Sequence, residues 1–166
     1  MKYPLILAVA IIVFACNKKS EPIDPISSQD RAKAAALTEF LQQDKFRLAA
    51  YYSETPIDYI DTDQVVTLET QLWKYVSFWL KDDEYTFDAS GEVFVDQKDN
   101  RIENDSTPVL TRDYSVQADV EGVRFKFLGN EYQDLNYRLV SFSDTHIVVS
   151  ANWNGNKVIS EYRTVP

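Results

Sequence analysis

From Asp83 to the end of the chain, apolar and polar residues alternate in short runs separated by turn residues. Tyr85 and Phe87 alternate with Thr86 and Asp88, Ser90-Gly91 breaks the run, and Val93 and Val95 resume it. Tyr114, Val116 and Ala118 alternate with Ser115, Gln117 and Asp119; Glu121-Gly122 turns the chain into Val123, Phe125 and Phe127. Leu135, Tyr137 and Leu139 form the next run, Asp144-Thr145 turns it, and Ile147, Val149, Ala151 and Trp153 follow. A period of two is the mark of half-buried strands. Asn154-Gly155 is the strongest hairpin signal, because both residues tolerate positive φ. Val158 to Thr164 supplies the last strand. Consecutive hairpins with one apolar face predict an antiparallel meander. Tyr85, Phe87, Phe125 and Phe127 then face inward, with Arg124 and Lys126 outside.

The earlier part of the chain changes period. Ser27 or Ser28 is placed to cap a helix, with Asp30 in its first turn. Ala34, Leu37, Phe40 and Leu41 follow at helical spacing, and the helix is expected to stop near Gln43. The same stripe also fits a longer helix through Leu48 and Tyr52. The aromatic content of Phe46 to Tyr52, and the turn chemistry of Glu54-Thr55-Pro56, favour a strand there. Thr67 to Leu80 reads both ways. Leu68, Leu72, Tyr75, Val76 and Trp79 fit a helix face capped by Thr67, while the Val, Tyr, Phe and Trp content fits a strand; the expectation is a short helix. Gln97 to Pro108 is the one long polar break, of the kind that forms a lid or a loop tip.

The first sixteen residues carry a different signal. Lys2 is followed by an unbroken apolar run, Leu5 to Phe14, and then by Ala15 and Cys16, the only cysteine. This is the layout of a secretory signal peptide, and the run is short of the ~20 residues of a spanning helix. Asn17 to Ser27 holds Lys18, Lys19, Glu21, Pro22, Asp24 and Pro25 with no apolar period, and reads as a stiff tether. The expected organisation is a signal peptide over 1–15, a tether over 16–27 and one domain over 28–166. About 150 residues remain after the signal, enough to bury one core. Ten Tyr, nine Phe and three Trp rule out a disordered polypeptide. The net charge of −9 disfavours nucleic acid and anionic lipid headgroups, and otherwise means solubility.

Val13-Phe14-Ala15-Cys16 resembles the lipobox of bacterial lipoproteins. That resemblance implies cleavage between Ala15 and Cys16, acylation of Cys16, and a cell-envelope address. Stable anchoring takes two acyl chains or more. Asn17 in place of an aspartate favours the outer membrane, facing the periplasm or the cell surface. The domain in turn resembles the lipocalin-like domains of small bacterial lipoproteins. The matching residues are Phe46-Arg47-Leu48 after a short helix, Lys81 to Gly91, and Tyr137 to Ser150, within a span of roughly Leu37 to Val165. The sequence departs from that pattern in carrying Phe46 where a tryptophan is usual, and in lacking a Gly-x-Trp signature. The resemblance implies a mostly β fold. It is an antiparallel up-and-down barrel of about eight strands with an N-terminal helix and a short helix before the central hairpins. It also implies an apolar cavity, for which Tyr85, Phe87, Phe125 and Phe127 are the candidate ligand contacts.

Catalytic chemistry is sparse, and no enzyme, cofactor or metal is expected. His146 is the only histidine; Ser143 and Ser150 are near it, but no nucleophile-elbow motif occurs. Asp61-Thr62-Asp63 and Asp96 to Asn100 lack the glycine and distal glutamate of a calcium loop. Asp82-Asp83-Glu84 has the composition of a paired-carboxylate site, though such runs usually mark exposed turns. Trp73, Tyr75, Phe78 and Trp79 form the densest aromatic cluster, placed either to cap a barrel mouth or to fill it. Two functions follow as expectations. One is a membrane-anchored carrier of a small apolar ligand. The other is a filled barrel docking a cell-envelope protein or a glycan. Interior volume separates them.

Overall fold

In a computed structural model, residues 24–60, 66–99, 109–128 and 134–166 are described. The signal peptide, Cys16, most of the tether, Asp61-Thr62-Asp63 and most of the polar stretch 97–108 lie outside them. Ser27 caps the only α-helix among the described residues, α1 (Ser28–Leu41), its Oγ accepting from Asp30 N at 3.0 Å. Ala34, Leu37 and Leu41 form the buried stripe of α1. The helix stops as predicted, and the Gln42 side chain donates to Tyr114 Oη at 3.0 Å.

Nine strands follow among the described residues: β1 (Lys45–Ile60), β2 (Val66–Gln71), β3 (Glu84–Phe87), β4 (Glu92–Asp96), β5 (Val109–Asp119), β6 (Gly122–Leu128), β7 (Asp134–Ser143), β8 (His146–Trp153) and β9 (Asn156–Thr164). From β3 to β9 they form an antiparallel meander, as the alternation predicts. β1 closes it, pairing with β9 from Phe46↔Thr164 to Ser53↔Val158 and with β3 at Lys45↔Thr86 and Phe46↔Tyr85. The result is a closed eight-strand barrel, with β2 as a ninth strand outside the ring. β2 pairs with the far half of β1, from Tyr52↔Gln71 to Ile60↔Val66.

Two sequence expectations are corrected here. Glu54-Thr55-Pro56 is not a turn. It lies inside β1, where the register against β2 shifts between Tyr52 and Ile57. Such an irregularity tolerates Pro56, which has no N–H for a ladder. Thr67 to Leu80 is not a helix. Its first half is β2, and its second half is two single 3₁₀ turns, Trp73–Tyr75 and Phe78–Leu80. The free edge of β1 offers backbone partners to β2, and pairing there overrides a spacing that also fits a helix. Leu68 is 70% exposed, which a buried helical stripe would not allow.

An up-and-down barrel has two distinct ends. The β3–β4, β5–β6 and β7–β8 hairpins and the start of β1 share one end, which α1 closes. There Phe40 sits edge-on to Phe46 at 5.2 Å and stacks on Phe142 at 5.9 Å. Above the helix the interior is filled by rings, with Phe46, Phe87, Phe125 and Phe127 all buried. The β8–β9 hairpin lies at the opposite end. Asn154 and Gly155 have φ of 50° and 83°, the positive pair of a type I′ turn. Gly155→Val is expected to cost about 1–3 kcal/mol through backbone strain alone, because no atom lies within 4 Å of an added Cβ. An unchanged melting temperature would contradict the turn geometry.

Candidate functional site: a tyrosine-lined cavity at the split in the barrel wall

The cavity follows from the way β1 divides its edge. β1 leaves β3 after Phe46 and meets β2 only at Tyr52, so the wall is split between them. The segment joining β2 to β3 lies across the split. Leu72 N donates to Tyr51 O at 3.0 Å, which ties its start to β1. Its two 3₁₀ turns close through Tyr75 N to Leu72 O and Leu80 N to Ser77 O. Behind it lies a cavity of about 290 Å³.

Five parts of the chain line this space: Leu48 and Tyr51 from β1, Tyr75, Val76, Ser77 and Leu80 from the crossing segment, Tyr85 from β3, Tyr137 from β7, and Ser160 and Tyr162 from β9. Phe127 lies among the innermost tyrosines, with ring centroids 5.7 Å from Tyr85, 5.7 Å from Tyr137 and 6.0 Å from Tyr162. The hydroxyls of Tyr137 and Tyr162 are 3.5 Å apart. Burial pushes the phenols of Tyr85, Tyr137 and Tyr162 above their ordinary range, and Tyr51 is raised by burial and then by Tyr137. These groups therefore stay neutral hydrogen-bonding groups at physiological pH.

Of the four candidate contacts read from the sequence, Tyr85 alone lines the cavity. Phe87, Phe125 and Phe127 are buried in one cluster, with centroids 5.2–6.3 Å apart. They form the packed interior below the cavity. Phe125→Trp is thus expected to overpack that core. Arg124 and Lys126 lie outside, where Arg124 reaches Asp119 at 2.7 Å. Of the aromatic cluster, Tyr75 borders the cavity, Phe78 is 58% exposed, and Trp73 carries Lys81 over its ring at 5.2 Å. The Trp79 side chain lies outside the described residues.

Of the acidic candidates, Glu84 and Asp96 are committed to cations. Glu84 receives Arg47 and Lys98, each at 2.8 Å, and Lys98 also reaches Asp96 at 2.7 Å. Lys98, and after it Arg47, hold the Glu84 carboxyl below its usual range, so it is a poor proton donor near neutrality. Hydrogen bonds also depress three aspartates: Asp96 through Lys98, Asp88 through the Ser90 hydroxyl, and Asp119 through Arg138. With native values below the unfolded ones, the folded state binds fewer protons. Its stability is complete at neutral pH and falls as pH drops through the native values. The domain is therefore expected to weaken below about pH 4.5, and Lys98→Met to reduce that acid sensitivity. Denaturant midpoints at neutral and acid pH measure both effects.

His146 Nδ1 is 2.8 Å from Ser143 Oγ in the β7–β8 hairpin, at the helix-closed end and away from the cavity. Ser150 is buried on β8. Among the described residues no three His, Cys, Asp or Glu side chains gather as a metal site. A second groove of about 440 Å³ runs between α1 and the β6–β7 face, past Asp30, Lys33, Leu139 and Phe142. Its walls are more polar than those of the tyrosine cavity.

Tyr85, as a candidate contact, and Tyr75, in the aromatic cluster, were legible in the sequence; Tyr51, Tyr137 and Tyr162 were not read as lining, because they come from strands far apart in the chain. No protein-family model matches this chain, and no curated protein matches it.

Proposed function

We propose that this chain is a lipid-anchored envelope protein whose lipocalin-like barrel holds a small, largely apolar ligand in the tyrosine-lined cavity. The cavity carries the reading. At about 290 Å³ it falls just short of the range of small-molecule sites, roughly 300–1,000 Å³, and suits only a small ligand. Aromatic and aliphatic walls with a few polar atoms are the usual lining of such sites. The anchor is Cys16, and the chain enters the fold at the helix-closed end.

Titration with an apolar fluorescent probe tests the carrier reading. Saturable binding with Kd below ~100 μM is expected, about −5.5 kcal/mol. Leu80→Trp, which fills the cavity from the crossing segment, should abolish it. Absence of binding would leave the second reading, a surface that docks an envelope protein or glycan. Exposed Leu68, Phe78 and Trp153 favour that reading, at 70%, 58% and 42% exposure.

The anchor has its own test. Cys16→Ser is expected to release the protein from membranes or stall its processing. Membrane association that persists after detergent-free fractionation would refute the anchor.

A further inference from the structure

We infer that the cavity selects uncharged, ring-bearing ligands with a hydrogen-bonding edge and rejects anionic lipids such as fatty acids. This rests on the carrier reading above and sharpens it. Seven of the ten described residues lining the cavity bear a hydroxyl, and none is an acid, a base or a histidine. A carboxylate placed there would lose its hydration and gain no cation.

The nearby cations already have partners. Arg47 and Lys98 are bound to Glu84 at 2.8 Å, and Lys74 is bound to Glu69 at 2.5 Å. Lys81 lies over the Trp73 ring. Asp83, buried two residues before Tyr85, acts on the Tyr85 phenol and pushes it further up. A buried hydroxyl that finds a partner in the ligand gains where a plain hydrocarbon does not. The volume suits one or two fused or linked rings, and the tyrosine faces suit offset or edge-on ring contacts. Entry would be through the wall split beside β1, under the segment carrying Tyr75 and Leu80.

A matched pair of probes tests the charge rule. N-phenyl-1-naphthylamine is neutral, and 8-anilinonaphthalene-1-sulfonate is the same skeleton with a sulfonate. Both would be titrated into the Cys16→Ser full chain without detergent. Binding that Leu80→Trp removes counts as cavity binding. The neutral probe should bind at least ~10-fold more tightly than the anion, the penalty of an unpaired buried charge. Val76→Lys should then raise the anion's affinity and lower the neutral probe's. Equal affinities, or a stronger anion, would overturn the selectivity and leave the carrier reading standing. Binding of neither probe would overturn both. Naphthalene against 2-naphthol tests the hydroxyl edge, with 2-naphthol expected to bind about 3–10-fold more tightly. Equal binding would remove that part of the inference.

Discussion

Phe127→Ala is expected to destabilise the domain by about 3–5 kcal/mol, the usual cost of emptying a well-packed aromatic site. Phe127 is 1% exposed. Its ring meets Tyr85, Phe87, Phe125, Tyr137 and Tyr162 at centroid distances of 5.2–6.3 Å. These neighbours come from β3, β6, β7 and β9, so the ring ties opposite walls of the barrel together. Small domains hold only about 5–15 kcal/mol in total, so this single change removes a large share. It has a second effect. Phe127 lies against the tyrosines of the cavity, and its removal joins the new void to the existing one. The variant should accept a bulkier neutral ring than the parent does. Urea denaturation measures the first effect and probe titration the second. A loss below about 1 kcal/mol would mean that the surrounding rings collapse into the gap.

Leu37→Asp is expected to be as severe, at about 4 kcal/mol or more, because it buries an unpaired carboxylate in place of a side chain with 0% exposure. Leu37 is at the centre of the α1 stripe that closes one end of the barrel, between Ala34 and Leu41. The helix has no other apolar face with which to stay docked. Ala35→Asp, on the exposed side of the same helix, controls for helix propensity and should cost about 0.5 kcal/mol. If the two variants unfolded at the same denaturant concentration, the plug would contribute nothing to stability.

The sequence made most of the barrel legible, and the reason is local. A strand with one wet face writes its burial into alternate residues, as Val123, Phe125 and Phe127 do against Arg124 and Lys126. The turn at Asn154-Gly155 and the Ser27 cap are equally local. What was hidden depends on distant partners. Thr67 to Leu80 carries a helical spacing, yet its first half becomes a strand because the edge of β1 is open beside it. Pro56 read as the end of a strand because a regular ladder excludes it, and a register shift inside β1 removes that objection. The cavity is hidden for the same reason. Tyr51, Tyr75, Tyr137 and Tyr162 share no period, and the wall split brings them together.

The ring of strands also has a consequence for the order of folding. β1 is the first of the described strands in chain order, and its principal partner is β9, the last; Tyr52 of β1 donates to Glu161 of β9, 109 residues along the chain. Closing a loop of that length costs about 4 kcal/mol in chain entropy beyond a constant, before its contacts repay it. Until β9 arrives, β1 and β8 both present unpaired edges, and such edges recruit other chains. The hairpins from β3 to β8 can form as each is completed, since their contacts are local. The final strand therefore works as a clasp. A chain emerging from its N-terminus carries two adhesive edges until its last strand follows, so the barrel is exposed to misassociation for most of its synthesis.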